Sequence, residues 1–260
     1  MARKRTVTPQ DNEQVRGGLH LSSLGKASAA LISVVGTITA TLFLLVDHGV
    51  FSSGNDQKHE PVKVLNVAVR ELRAPLLGGS DLAGESQLGD LVADAYRKIA
   101  GTQLAFVNSQ GIRANIEAGQ VTRGDLAAVV PFNNRLVKME LTGTQVWALL
   151  AQQFENNQIL QVSGLRFMYR ITHQGKAVIR AIEELSLGSS PKPVPRGASK
   201  RYTVVVDSFL ANGGDGFSAL TGATKRVATA IGDVQALAQY IGALARPFDS
   251  GIQGRIIRLQ

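Results

Sequence analysis

The sequence predicts an α+β fold over residues 62–260, a mixed β-sheet with packed helices, preceded by one transmembrane helix over residues 27–46. Three observations predict it. Apolar runs of strand length are interleaved with stretches whose apolar residues recur at helical spacing, which builds a sheet with helices packed on it. Some neighbouring strands are joined by a short turn and others by a helix, so the sheet is expected to mix antiparallel and parallel pairs. Finally, the 20 residues from Ala27 to Val46 carry no charge.

Residues 1–26 are polar and aperiodic, with Arg3, Lys4, Arg5, Arg16 and Lys26 outweighing Asp11 and Glu13. They are expected to be a disordered cytoplasmic tail. A helix rising about 1.5 Å per residue over Ala27–Val46 reaches about 30 Å, the hydrocarbon thickness of a bilayer. Basic residues precede it, while Asp47, Asp56 and Glu60 follow with only Lys58 to balance them, which favours an N-inside single pass. A cleaved signal peptide, ending near Val50-Phe51-Ser52, and a core helix are the competing readings. Residues 47–61 are a linker, Ser-, Gly- and Asn-rich over Ser52–Gln57. The anchor readings place residues 62–260 outside the cytoplasm, periplasmic or extracellular.

Within 62–260, Val62–Val69 reads as an opening strand. Leu88, Leu91, Val92, Ala95 and Ile99 share a helical face, and Gly101 stands where that helix stops. Gln103–Val107 and Leu136–Leu141 read as strands. The latter leads into a helix striped by Val146, Leu149, Leu150 and Phe154. Leu165–Ile171 and Ala177–Leu187 are strands around the turn Thr172-His173-Gln174-Gly175, and the proline-punctuated 189–200 is an exposed basic loop. Tyr202–Val206 is a strand running into Phe209-Leu210-Ala211-Asn212-Gly213-Gly214-Asp215-Gly216-Phe217, a glycine-rich loop. Val234, Leu237, Ala238, Ile241, Leu244 and Ala245 mark a last helix, and Ile252–Leu259 a closing strand.

The formal net charge of +8 suits an anionic ligand, a membrane surface or nucleic acid. Nucleic acid is set aside because the basic residues are dispersed and form no helix-turn-helix, arginine-rich arm or aromatic RNA-binding signature. The chain has no cysteine, which excludes disulfides, thiolate metal sites and cysteine nucleophiles. Its histidines, His20, His48, His59 and His173, stand in no metal-ligand spacing, and no nucleophile elbow or Walker loop occurs.

Phe209-Leu-Ala-Asn-Gly-Gly-Asp-Gly-Phe217 resembles the signature of the 5′-nucleotidase C-terminal, substrate-binding domain. Glu85-Ser-Gln-Leu-Gly-Asp90, Asn108-Ser-Gln-Gly-Ile-Arg113, Pro131-Phe132, Gln161-Val-Ser-Gly164 and Gly254-Arg-Ile256 follow the family's order. The resemblance covers roughly residues 62–260. It implies a 5′-nucleotidase C-terminal-domain-like fold and a nucleotide or nucleoside ligand, with a UDP-sugar as a further candidate.

It also implies roles for particular residues. Phe132 and Phe209 would sandwich the base, Asp215 would accept hydrogen bonds from ribose hydroxyls, and Asn108 and Arg113 would lie near the phosphate end. Gly111, Gly164, Asn212, Gly213 and Gly214 would complete the substrate-binding set. The residues alone leave open that both phenylalanines are core and that Asp215 shapes its own turn.

The chain departs from the family at Ser109, Gln110, Asn133 and Asn134, where relatives carry glycines, and no arginine stands in Asp81-Leu-Ala-Gly84. Family hydrolysis belongs to an N-terminal metallophosphoesterase domain, and residues 1–61 read as tail, membrane segment and linker. No catalytic residue, metal or cofactor is therefore expected on this chain. Divalent metal ions are expected only on a separate catalytic domain, with a separate metallophosphoesterase chain as partner and the membrane as the other. A non-catalytic interaction or structural module of the cell envelope is the alternative.

Overall fold

The strand and helix patterns of the sequence are realised in three sheets and their covering helices. The computed structural model describes residues 67–186, 189–197, 199–244 and 251–260. The expected tail, transmembrane segment and linker lie outside the described residues. Among the described residues, no helix is long and apolar enough to cross a membrane.

In chain order the elements are β1 (Ala68–Leu72), α1 (Gln87–Ala100), β2 (Leu104–Asn108), β3 (Gly119–Thr122), α2 (Arg123–Val129), β4 (Arg135–Thr142), α3 (Gly143–Glu155), β5 (Leu160–Ser163), β6 (Leu165–Ile171), β7 (Ala177–Glu184), β8 (Lys192–Pro193), β9 (Arg201–Asp207), α4 (Ser208–Ala211), β10 (Thr224–Gly232), α5 (Asp233–Ala243) and β11 (Ile256–Leu259). The largest sheet has the order β10-β4-β9-β2-β5, the second β11-β6-β7-β8, and β1 pairs with β3 alone. Both larger sheets are mixed, as expected. β2 runs parallel to β9 and β11 parallel to β6, and the other pairs are antiparallel.

The central strands show why this arrangement is stable. Leu104 and Phe106 of β2 and Tyr202, Val204 and Val206 of β9 face one core, while Ala105, Val107 and Val205 face the other. Successive side chains point to opposite faces, so a strand that is apolar throughout must be covered on both sides. The first core is shared with α3, β6 and β7, and the second with α1, α2 and α5. Helix α1 starts at Ser86, whose side chain accepts from Gly89 N at 3.0 Å, and stops at Gly101 in the left-handed region with φ 65°. That terminating role of Gly101 is the one its position implies.

The Glu85–Asp90 and Gly254–Ile256 motifs turn out to hold each other. Glu85 is fully buried, and its two carboxylate oxygens accept from Gln253 N and Ile256 N, each at 2.9 Å, which fastens the start of β11. Arg255 clamps Asp94 with two bonds of 2.9 and 2.8 Å and also donates to Val162 O at 2.9 Å. Asp94 is further bonded to the Ser163 hydroxyl.

Asp90 lies inside this network with neither oxygen meeting a donor, 3.7 Å from Arg255 Nε. Burial raises its pKa to about 8, against the attraction of Arg255 and with the help of the Glu85 carboxylate beside it. A proton on Asp90 gives it a donor to Glu85 and removes the charge that burial disfavours. An unfolded aspartate titrates near pH 4, so between there and about 8 the folded chain holds a proton that the unfolded chain releases. Stability contributed here therefore falls as pH rises through that window and levels off above it. Asp90→Asn keeps a donor to Glu85 without titrating. Its advantage in thermal midpoint over the parent is expected to grow from about pH 5 to about pH 8 and then stay constant. An advantage independent of pH would show that Asp90 is not protonated in the folded chain.

Candidate functional site

The cavity that concerns function opens where β2 and β9 end. In sheets with parallel neighbours, the carboxyl ends of the strands are where the chain leaves the sheet and side chains can converge on a ligand. Asn108 closes β2, Asp207 closes β9, and the antiparallel β4 begins beside them at Arg135. The cavity holds about 400 Å³ and is lined by Tyr96, Val107, Asn108, Gln110, Gly111, Arg113, Val130, Phe132, Asn134, Asp207, Phe209, Asp215 and Asp233. Six residues of the expected substrate-binding set are thereby brought together from three distant stretches: Asn108, Gly111, Arg113, Phe132, Phe209 and Asp215.

Each is placed by local chemistry. Asp207 is the N-cap of α4, its carboxylate accepting from Leu210 N at 2.8 Å. This turn carries Phe209, so the ring sits on a helical turn and not on the open loop expected from the sequence. A capping aspartate competes with the glycines that follow it and wins one turn of helix. Both phenylalanines stand out from the surface, with Phe209 46% and Phe132 55% exposed. Neither is a core residue. Phe217, at the end of the same motif, is fully buried and takes that role.

The glycines divide into those that serve the cavity and those that serve the fold. A Cβ on Gly214 would lie 2.5 Å from the Phe209 ring, so the ring rests against bare backbone there. A Cβ on Gly111 would lie 2.7 Å from Asn108 Oδ1. Gly213, with φ 83°, turns the chain after α4, and Asn212 Oδ1 accepts from Arg226 Nη2 at 3.1 Å. Gly164 is remote from the lining residues, being the single residue between β5 and β6, where the chain passes from one sheet to the other. The cavity lining thus includes neither Gly164, Asn212, Gly213 nor Gly214.

Asp215 adopts φ 53°, and its Oδ2 accepts from Asn108 Nδ2 at 2.7 Å. Asn108 is 5% exposed, and its Oδ1 meets no donor. Arg113 is exposed at the rim, where it donates weakly to Gln110 O at 3.4 Å. Gln110 and Asn134, two of the departures from the family pattern, line the cavity without filling it. Asn134 is held in place: its N donates to Asp233 Oδ2 at 2.9 Å, its carbonyl accepts from Asp233 N at 3.0 Å, and its Oδ1 accepts from the Ser208 hydroxyl at 3.0 Å.

Sequence reasoning missed Tyr96, Asp207 and Asp233. Tyr96 continues the apolar stripe of α1, and the two aspartates each stand at a helix start, which is where a carboxylate is expected for capping alone. Their convergence has electrostatic consequences. Burial raises Asp207 to a pKa of about 6, opposed by its bond from Leu210 N and reinforced by Asp233. Asp233 is raised chiefly by burial, and Tyr96 is pushed well up by burial and then by these two carboxylates. The inner wall is therefore acidic and dry, and the rim carries the cation. Among the described residues, no group of three or more His, Cys, Asp or Glu side chains could hold a metal ion.

Comparison with known proteins bears on the family and the fold. The family described as 5′-nucleotidase, C-terminal domain, matches residues 69–222. A trifunctional nucleotide phosphoesterase protein, YfkN, of Bacillus subtilis is 29% identical over 210 residues, covering 77% of this chain and 14% of that protein. The cell wall protein Lmo0130 of Listeria monocytogenes is 32% identical over 190 residues, covering 68% and 23%. Among solved structures, a 5′-nucleotidase precursor from Thermus thermophilus superposes with a TM-score of 0.66 at 34% identity, over 76% of this chain and 40% of that one. The chain thus spans less than half the length of each of these relatives. With the matched residues holding both phenylalanines, Asp215 and the strands that carry them, the chain belongs to the 5′-nucleotidase C-terminal domain family.

Proposed function

We propose that this domain binds a nucleotide or nucleoside in the cavity at the ends of β2 and β9, with the base between Phe132 and Phe209. The single observation that carries this reading is that two half-exposed phenylalanines, from stretches far apart in sequence, line one cavity of about 400 Å³ together with Asp215 and Asn108. Exposed aromatic rings are unfavourable in water, and placing two at a cavity mouth suits a flat heterocycle. Asp215, anchored by Asn108, accepts from ribose hydroxyls. Arg113 at the rim meets phosphate oxygens with its planar fork. With one arginine there, phosphate adds less than the base does, and a UDP-sugar is accommodated only through its uridine half.

Hydrolysis in this proposal is supplied by a separate metallophosphoesterase chain that holds the divalent metal ions. The domain is presented outside the cytoplasm, tethered by residues 27–46. The cell wall protein among its relatives supports that side of the membrane. Isothermal calorimetry of the purified chain with AMP, adenosine and UDP-glucose tests the proposal. Saturable heat with AMP or adenosine is expected, and the absence of heat with all three would end it.

A further inference from the structure

The buried part of the cavity wall is unusual in what it asks of a ligand. Its polar side chains are Asn108, Asp207, Asp233 and Tyr96, all nearly inaccessible, whereas Gln110 and Arg113 are exposed at the opening and Asn134 is only half-buried. Three of those four present acceptor oxygens. Asn108 spends its amide on Asp215, which leaves Oδ1 buried without a donor. Asp207 and Asp233 are carboxylates. Tyr96 lies within electrostatic reach of both. Asn108 Oδ1 is unpaired, whereas Asp207 already accepts from Leu210 N and Asp233 from Asn134 N and Val234 N, each carboxylate keeping further lone pairs. A ligand that supplies N–H groups to this wall meets that spare acceptor capacity, and one that supplies another acceptor is disfavoured.

Asp207 lines the cavity with Asp215 and Asp233 and stands two residues before Phe209, on the turn that carries the ring. If ribose hydroxyls occupy Asp215 and the base lies between Phe132 and Phe209, the Asp207 carboxylate shares the cavity with the base. We propose that Asp207, with Asn108 and Tyr96 beside it, makes this a site for nucleosides whose base carries an exocyclic amino group. The proposal rests on the stacking reading of the same cavity and adds the substrate class to it. A site built to hydrogen-bond an N–H rejects the analogue that lacks it, because Asn108 Oδ1 and the spare lone pairs of the buried Asp207 carboxylate are then left without a donor.

Two pairs of nucleosides differ by one amino group each and serve as probes: guanosine against inosine, and adenosine against purine riboside. Calorimetry on the full chain is expected to show the amino member of at least one pair binding about tenfold tighter or more, the discrimination typical of a hydrogen bond to a charged group. Asp207→Asn retains the helix cap and is expected to narrow that ratio to about threefold or less. A second reading needs no variant. Lowering the pH from about 7.5 to about 5 protonates Asp207 and should narrow the wild-type ratio in the same way; the groups facing Asp207 are Asp233 on α5, Asp215 in the loop and Tyr96 on α1. Equal affinities within both pairs would overturn the inference while leaving the stacking reading intact. So would a preference that neither Asp207→Asn nor acid reduces. If none of the four binds, the stacking reading fails and takes this inference with it.

Discussion

Phe209→Ala is expected to weaken nucleoside binding by about 1–3 kcal/mol, a loss of roughly ten- to a hundredfold in affinity, because that is what one stacked base contributes on an aromatic ring. Phe132→Ala should lose a comparable amount. The double variant should lose at least as much as the larger single effect, and the two losses need not add, because both rings touch the same base. The thermal midpoint should hardly change in either single variant, since each ring is about half exposed and neither belongs to a core cluster. Phe217 is the internal control for this distinction. It comes from the same nonapeptide and is fully buried, and its replacement by alanine should cost stability in the range of about 3–5 kcal/mol. Full affinity in Phe209→Ala, measured by calorimetry with adenosine on a folded sample, would remove the sandwich.

Gly164→Ala is expected to be the most damaging glycine substitution for stability, at about 3 kcal/mol or more in chemical unfolding. Gly164 has φ 81°, and a Cβ there would lie 2.0 Å from the carbonyl oxygen of Gln103. That oxygen is backbone at the entry to β2, and it cannot swing aside as a side chain can. Gly164 also accepts from Leu185 N at 2.8 Å, so the residue that passes the chain between the two larger sheets is tied to both. Shifting it disturbs the pairing of β5 with β2 and of β6 with β7 together. The family motif Gln161-Val-Ser-Gly164 is on this reading a sheet junction, and any folded fraction of the variant should bind nucleoside with ordinary affinity. Unchanged stability would mean that the close approach of Gly164 to Gln103 is easily relieved.

Much of the architecture was legible because its cause is local. Strands β2, β4 and β9 are apolar runs bounded by polar or turn residues, and α1 carries a capping serine at one end and Gly101 at the other. Elements whose sequence does not advertise them were missed. β10 is exposed along nearly its whole length and has no apolar alternation, since it lies at the edge of its sheet and buries almost nothing. β3 and α2, Gly119–Val129, are short, and β5 has four residues, too few for a period to show. The sequence places Phe209–Ala211 in the glycine-rich loop because three glycines follow, although Asp207 caps a turn of helix, Ser208–Ala211, before they begin. The closing strand was drawn too long: it starts at Ile256, after the segment that Glu85 holds.

The sequence by itself determined the fold class, the family and the two phenylalanines with Asp215 that line one cavity, because these are written as contiguous motifs and as apolar periodicity, properties of neighbours along the chain. Only the tertiary structure decided that Gly164 joins sheets and does not line this cavity, that Phe217 is core while Phe209 faces the cavity, and that Tyr96, Asp207 and Asp233 form its inner wall. Burial, and the pKa of a carboxylate with it, depends on what other segments remove from water. A helix-capping aspartate reads the same in sequence whether solvent or another carboxylate waits on its far side.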